Sequence, residues 1–166
     1  DYSEAIDFTL GYNNYDSFDL SIKSRYDFKE ASFDYLTFIT KYHKENFRLS
    51  IDTGYDFDNK TFYDLKIKSK GKITNNLTLN NDLRYDLNNN EFKNIKTKIS
   101  YNKENNISIN YIADYDVIDQ EVNKNEISVT KDLHCRELSF SYDFSEQEYF
   151  VKYSIDLFAG FSYTNQ

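Results

Sequence analysis

Apolar and polar side chains alternate one by one along nearly the whole chain. In the segment 18–26, for example, Phe18, Leu20 and Ile22 are separated by Asp, Ser and Lys. The same period of two recurs in the segments 47–55, 77–85, 95–101, 107–115 and 149–157. Because successive side chains of a β-strand point to opposite faces, each segment predicts a strand with one apolar and one polar face.

Short turns rich in Asn, Asp, Lys and Gly separate these segments. We therefore predict an all-β fold, an antiparallel up-and-down meander of about eleven strands. The predicted strands are 4–12, 18–26, 33–42, 47–55, 62–70, 77–85, 92–101, 107–115, 125–133, 137–142 and 148–158. The third strand leaves two choices for its apolar face, which are Leu36, Phe38 and Thr40 or Phe33, Tyr35 and Ile39.

The lengths of the strands and the aromatic content indicate part of a transmembrane β-barrel, with residues 1–166 as a single barrel segment. Most predicted strands have about nine or ten residues, which a tilted strand needs to cross a bilayer. The chain has 16 Tyr and 14 Phe, whereas disordered chains are poor in aromatic residues. No apolar run approaches the roughly 18 to 20 residues of a membrane helix.

A Tyr-Asp pair closes every second strand. Its five copies begin at Tyr26, Tyr55, Tyr85, Tyr115 and Tyr142, at intervals of 27 to 30 residues. The residues seven positions later are Phe33, Phe62, Phe92, Val122 and Tyr149. The interval equals one hairpin and its return, so all five Tyr lie at one edge of the sheet. Tyr42 and Tyr101 lie at the opposite edge, and the two rows predict the aromatic girdle of a membrane barrel.

The polar face carries basic residues that we expect to line a wet lumen. They are Arg48, Lys66, Lys68, Arg84, Lys96 and Lys98. Two interpretations are open: these side chains guide an anionic lipid head group, or they pair with acidic residues on neighbouring strands. The acidic candidates are Asp52, Asp64 and Asp82.

Sites for catalysis, cofactors and nucleic acid are not indicated. The net charge is −8, and no Lys/Arg cluster stands apart from acidic neighbours, as a nucleic-acid footprint requires. His43 and His134 fall in separate turns, and neither has metal-ligand spacing to Cys135. We therefore expect a protein that is not an enzyme and that holds neither a cofactor nor a metal.

Two other functions fit the same alternation. One is a general outer-membrane barrel of the porin type. The other is a soluble β-sheet binding or adhesin-like domain, whose apolar face would cover a core. A soluble sandwich normally breaks its strands with Pro, Gly and longer crossovers, whereas every connection here is short and Pro is absent.

The end of the chain carries a recognisable motif. Residues 131–142 read Lys-Asp-Leu-His-Cys-Arg-Glu-Leu-Ser-Phe-Ser-Tyr, and a short turn and a terminal strand ending at Phe158 follow. This stretch resembles the C-terminal end of LPS-assembly proteins, the LptD or organic-solvent-tolerance family, and the Tyr-Asp hairpins resemble that family's barrel repeats. Two departures are that Arg136 stands where the family often has Trp, and that one Cys stands where some members have two.

The resemblance implies a large barrel in the outer membrane of a Gram-negative (diderm) bacterium. Such a barrel accepts lipopolysaccharide from a periplasmic bridge protein, holds a lipoprotein plug in its lumen, and releases the lipid through a lateral gate between its first and last strands. It implies that an N-terminal periplasmic domain and the first barrel strands are missing from this chain, whose start lacks a signal peptide. The gate strand would present Tyr149, Val151, Tyr153, Ile155 and Leu157.

The resemblance also implies a role for Cys135 and a sidedness. Cys at this corner ties the barrel to the periplasmic domain in some members, and the alternative is an unpaired, half-buried thiol. If the last strand ends at the periplasm, the Tyr-Asp turns face outside. The longest predicted connection, 116–124, then falls on the outer side, where barrel loops are longer.

Overall fold

The computed structural model describes residues 4–14, 17–103 and 106–155, and within these ranges it contains strands and turns only. The strands are β1 Ala5–Asn14, β2 Phe18–Asp27, β3 Ser32–Lys44, β4 Phe47–Asp56, β5 Thr61–Phe62, β6 Leu65–Lys72, β7 Leu77–Asp86, β8 Glu91–Lys103, β9 Ile107–Asp116, β10 Glu121–Asp132, β11 Arg136–Asp143 and β12 Glu148–Ile155. They are the strands that the alternation predicts, with the exceptions described below.

The strands form one antiparallel sheet in which order along the chain is order in space. The sheet runs from β1 to β12, and the short β5 pairs with β4 beside the start of β6. The predicted all-β up-and-down meander is therefore confirmed. Because each hairpin reverses the chain, the five Tyr-Asp turns lie at one edge of the sheet, and the connections 45–46, 73–76 and 133–135 lie at the other.

The sheet formed by the described residues is open, with β1 and β12 at its two sides. Side chains of these outer strands are highly exposed, reaching 68% at Leu10 and 71% at Tyr149. The terminal strand is thus an edge strand, as predicted. Tyr149, Val151, Tyr153 and Ile155 lie on it, while Leu157 lies outside the described residues.

Four return strands of the Tyr-Asp hairpins contain one more residue than the strand they pair with. In β3, Arg25 pairs with Tyr35 but Tyr26 pairs with Phe33, which leaves Asp34 as the extra residue of a β-bulge. Equivalent bulges leave Lys93 extra in β8 and Asn123 extra in β10. Between β5 and β6 the same shift separates the pair Tyr55–Phe62 from the pair Asp52–Lys66.

The bulges explain where the predicted boundaries were wrong. The predicted strand 62–70 is divided into β5 and β6, because the bulge interrupts the ladder at residues 63–64. The predicted strand 125–133 begins earlier, at Glu121, and continues through the bulge at Asn123. As a result the connection predicted at 116–124 shrinks to 117–120, the same length as the other Tyr-Asp turns, and loop length no longer argues for sidedness.

The bulge in β3 also settles which face of that strand is apolar. Leu36, Phe38 and Thr40 pair with Ser24, Ile22 and Leu20, so they share the apolar face of β2. Phe33 joins them because the extra residue Asp34 restores its parity, whereas Tyr35 and Ile39 pair with Arg25 and Ser21 on the polar face. The first of the two predicted choices is correct, with Phe33 added from the second.

The described residues contain no fully buried hydrophobic side chain, since one sheet has nothing stacked against it. Exposed apolar side chains such as Phe8, Phe38 and Phe140 cover the apolar face instead. Exposed apolar faces of this kind mark surfaces that contact lipid or another protein.

No helix among the described residues is long and apolar enough to span a membrane.

Candidate functional site

The polar face of the sheet carries most of the charged side chains. Residues that pair directly across strands point to the same face, so the register defines rows of neighbours. One such row joins Lys41, Ser50, Lys68, Asp82, Lys96 and Asp114 across six strands. Acidic and basic groups alternate along much of this row, which is the arrangement that favours cross-strand ion pairs.

Half of the six predicted lumen cations form ion pairs. Lys68 lies 3.3 Å from Asp82, Lys96 lies 2.7 Å from Asp114, and Arg84 lies 3.7 Å from Asp64. Arg48, Lys66 and Lys98 form no ion pair with any residue in the described ranges. Lys68 and Arg84 thus pair with acidic residues named from the sequence, whereas Lys96 pairs with Asp114, which was not among them.

A cavity of about 650 Å³ lies on the polar face near the edge opposite the Tyr-Asp turns. Among the predicted cations, Arg48, Lys68, Lys96 and Lys98 line it, whereas Lys66 and Arg84 do not. Further lining residues that the sequence did not single out are Lys41, Lys70, Asn80 and Asp19. His43 lines the cavity as well. It was predicted to fall in a turn, which is wrong, because β3 continues to Lys44 and His43 pairs with Arg48 of β4. Their meeting in one cavity depends on the strand register, which alternation within single strands does not give.

The five Tyr predicted to belong to an aromatic girdle lie in a row along the Tyr-Asp edge. Each Tyr pairs directly with the residue seven positions later, as in Tyr26–Phe33, Tyr55–Phe62 and Tyr85–Phe92. These three ring pairs meet edge to face with centroids 5.0, 4.9 and 5.1 Å apart, the favoured geometry for aromatic rings. Tyr115 and Tyr142 occupy the corresponding positions opposite Val122 and Tyr149.

The opposite edge has fewer aromatic contacts. Tyr42 pairs with Phe18 and lies 6.3 Å from the Phe47 ring, and Tyr101 pairs with Leu77 and Ile109. Both predicted rows of Tyr are therefore at the strand ends on the apolar face, where membrane barrels carry their interfacial rings.

The Asp of each Tyr-Asp pair closes the turn that follows it. Asp86, for example, accepts backbone N–H bonds from Asn88 and Asn89 at 2.8 and 3.0 Å. Asp27, Asp56, Asp116 and Asp143 accept equivalent bonds. Each turn ends in a residue with positive φ, and these residues are Ala31, Lys60, Asn90, Gln120 and Gln147. The repeat thus encodes one turn design five times, an Asx-type turn closed by a left-handed residue.

A bulge brings a second ionic cluster to the same edge. Lys93, the extra residue of β8, donates to Asp64 at 2.8 Å and lies 3.0 Å from Asp86. Arg84 lies 3.7 Å from the other carboxylate oxygen of Asp64, and Asp86 is only 4% exposed. The cluster links β7 and β8 to Asp64, which lies just before β6, and this indicates a structural role.

Cys135 lies in the turn between β10 and β11 and is an exposed, free thiol. The residue before it, His134, has a φ of 70°, and its N–H bonds to Asp132 at 2.9 Å. The described residues contain no group of three or more His, Cys, Asp or Glu side chains that could hold a metal ion.

Comparison with known proteins gives one family. Residues 13–150 match the family model described as "LptD: LPS transport system D". No curated protein matches the chain. Among solved structures, the chain is similar to a KdgM porin in complex with disordered oligogalacturonate, at 10% identity and a TM-score of 0.39, with 84% of each chain covered.

Proposed function

Because the chain belongs to the LptD family and forms part of an outer-membrane β-barrel, we propose that it contributes to inserting lipopolysaccharide into the outer leaflet of that membrane. The observation that carries this proposal is the family match over residues 13–150 of a sheet with one apolar face and one charged face that bears a cavity lined by basic residues.

The two faces suit an amphipathic cargo. A lipopolysaccharide molecule has a phosphorylated, polar head and apolar acyl chains, so it needs a wet, cationic path beside lipid. In the proposed mechanism the head group moves along the polar face past Arg48, Lys66 and Lys98, whose charges are free of ion pairs among the described residues. No covalent step is involved, and the protein acts as a conduit rather than as an enzyme.

The acyl chains must leave the barrel through its wall. We propose that β12 forms one side of a lateral gate, since its outer edge has no partner strand in the described sheet. Tyr149, Val151, Tyr153 and Ile155 would then meet the acyl chains or the opposing strand as the gate opens. An edge strand is held by one ladder instead of two, which lowers the cost of opening it.

Partners follow from the family. We propose a lipoprotein plug within the lumen and a periplasmic bridge protein that delivers the lipid, in the outer membrane of a Gram-negative bacterium. An exposed Cys135 in a turn is accessible to a thiol elsewhere in the protein or its partners. Non-reducing gels of the protein with and without Cys135→Ser should differ in migration if this bridge forms, and equal migration with free alkylation of Cys135 would contradict it.

Depletion of the protein in its own cells tests the transport function. We expect newly made lipopolysaccharide to stay in inner compartments, where an outer-surface label cannot reach it, while other barrels still assemble. The porin alternative predicts the opposite pattern, in which surface lipopolysaccharide is unchanged and uptake of small solutes falls.

A further inference from the structure

Basic residues meet side by side on the polar face without an acidic neighbour between them. In the strand register His43 faces Arg48, Arg48 faces Lys70, Lys70 faces Asn80, and Asn80 faces Lys98. We call these five residues the basic row. It crosses β3, β4, β6, β7 and β8 next to the edge opposite the Tyr-Asp turns, and all five residues line the 650 Å³ cavity.

The adjacent row has the opposite character. Two residues farther along each strand, Lys68 pairs with Asp82 at 3.3 Å and Lys96 with Asp114 at 2.7 Å. Asp19 and Asp82 are the carboxylates that line the cavity, and both belong to this adjacent row. The adjacent row therefore balances its basic side chains with acidic ones, whereas the basic row contains no acidic side chain.

The basic row is costly for the protein alone. Like charges directly opposite each other in a sheet are destabilising, and Arg48 is directly opposite Lys70. Neither these two nor Lys98 forms an ion pair within the described ranges. Locally unfavourable arrangements that persist in a folded protein concentrate at functional sites, where a ligand supplies the missing compensation.

We propose that the basic row is a binding site for phosphate groups. Arg48 offers a planar guanidinium fork that matches phosphate oxygens, Lys70 and Lys98 add point charges, and Asn80 adds an amide donor between them. The cavity volume is within the range of small-molecule sites, about 300–1,000 Å³, which admits a phosphorylated sugar. The site deepens the proposed function and rests on it, since it would hold the phosphorylated head of the transported lipid.

Binding and stability, measured together in detergent, test the site. The probes are inorganic pyrophosphate, a bisphosphorylated glucosamine lipid, and the same lipid without its phosphates. In Lys70→Gln we expect affinity for the phosphorylated lipid to fall about tenfold, the loss of one charge-assisted bond. The same variant should unfold at a higher temperature without ligand, because its repulsion with Arg48 is gone. A residue with a purely structural role would not show both changes.

Lys23→Gln is the matched control. Lys23 is a lysine of the same face that faces Thr9 and Thr37 and lies outside the cavity, so the control should bind like the wild type. An equal loss of affinity in both variants would mean that the lipid responds to the overall charge of the face and not to one site, which would overturn the proposal. Equal binding of the lipids with and without phosphates would overturn it as well. If pyrophosphate also binds, the site accepts free phosphate as well as the head group. If the phosphorylated lipid binds and pyrophosphate does not, the site recognises the phosphates as part of the lipid head group. Neither assay involves delivery, so the site can fail while the depletion result stands.

Discussion

At the scale of single residues, Gly54 shows how closely the strands pack at one point of the polar face. A Cβ added there would lie 2.6 Å from the backbone oxygen of Leu36 and 2.7 Å from Cδ2 of Tyr63. The backbone oxygen belongs to a paired strand and has little freedom to move. The Tyr63 ring covers the glycine beside the gap between β5 and β6, an arrangement that supports a glycine kink in a curved sheet.

Gly54→Ala should therefore destabilise the protein by about 1–3 kcal/mol, the usual cost of overpacking. Gly71→Ala is the matched control, because its nearest neighbour, the Phe47 ring, would be 3.5 Å from the new methyl group. Urea unfolding of the protein reconstituted in lipid measures both. Equal midpoints for the two variants would contradict the steric explanation.

Side chains on the two faces should respond oppositely to charge. Ile51 lies near the middle of the apolar face of β4, and Ile109 lies on the apolar face of β9 nearer the strand end, opposite Tyr101. Ser50 points to the polar side. Ile51→Arg should cost roughly 2–4 kcal/mol if lipid covers the apolar face, and Ile109→Arg should cost less because the penalty falls toward the interface. Ser50→Arg should cost much less than Ile51→Arg. Folding yield and unfolding in lipid vesicles measure the difference, and equal losses on both faces would refute a lipid-facing surface.

At the scale of elements, the Tyr-Asp hairpin is the repeated unit, and its copies differ in strength. Asp86 caps its turn and also pairs with Lys93 at 3.0 Å, whereas Asp116 caps its turn at 3.0 and 3.1 Å and pairs with no cation of the described residues. Asp116→Ala should cost about 1 kcal/mol for its hydrogen bonds, and Asp86→Ala should cost more. Thermal unfolding in detergent gives the order, and the reverse order would show that the ionic cluster adds no stability.

The strands could be predicted from the sequence because alternation is a local property. Each face of β2, β4, β7 and β9 follows directly from which residues are apolar. The bulges also leave a trace, since Phe33 and Leu36, or Phe92 and Ile95, are apolar residues of one face separated by an odd number of positions. A simple period of two cannot represent that odd step. For this reason the predicted strand 62–70 was not divided into β5 and β6, and the predicted strand 125–133 began later than β10 does.

The cavity could not be predicted in the same way, because it depends on register between strands. Counted from the pair Tyr55–Phe62 with no bulge, Arg48 would face Ser69. The bulge moves Lys70 opposite Arg48 instead, and this creates the basic row. Lys41, His43 and Lys70 were therefore missed as members of one site. The sequence also left open which face of the third strand carries Lys41, and it placed His43 in a turn.

At the scale of the whole molecule, the sheet has two unlike edges. The five Tyr-Asp turns carry the aromatic band and the carboxylate caps, and the basic row borders the other edge. If the last strand ends at the periplasm, as we expect from the family resemblance, the Tyr-Asp turns face outside the cell and the basic row faces the side from which we propose that the lipid arrives.

Surface labelling measures this orientation. In a Cys135→Ser background, Asn89→Cys in a Tyr-Asp turn should react with an impermeant maleimide on intact cells. Lys103→Cys, at the end of β8 on the other edge, should react only after the outer membrane is opened. Reaction of Lys103→Cys alone on intact cells would reverse the topology.

Each of the four bulges fixes which face the side chains beyond it point to in its return strand. Between Phe62 and Leu65 the extra residue turns Lys66, Lys68 and Lys70 to the polar side and Ile67 to the apolar side. Loss of a single residue there would shift the strand by half a period and invert it, with lysines facing lipid and isoleucine facing water. A deletion of one residue at a bulge would thus exchange the two faces of the strand that follows. We expect it to be more damaging than most single substitutions.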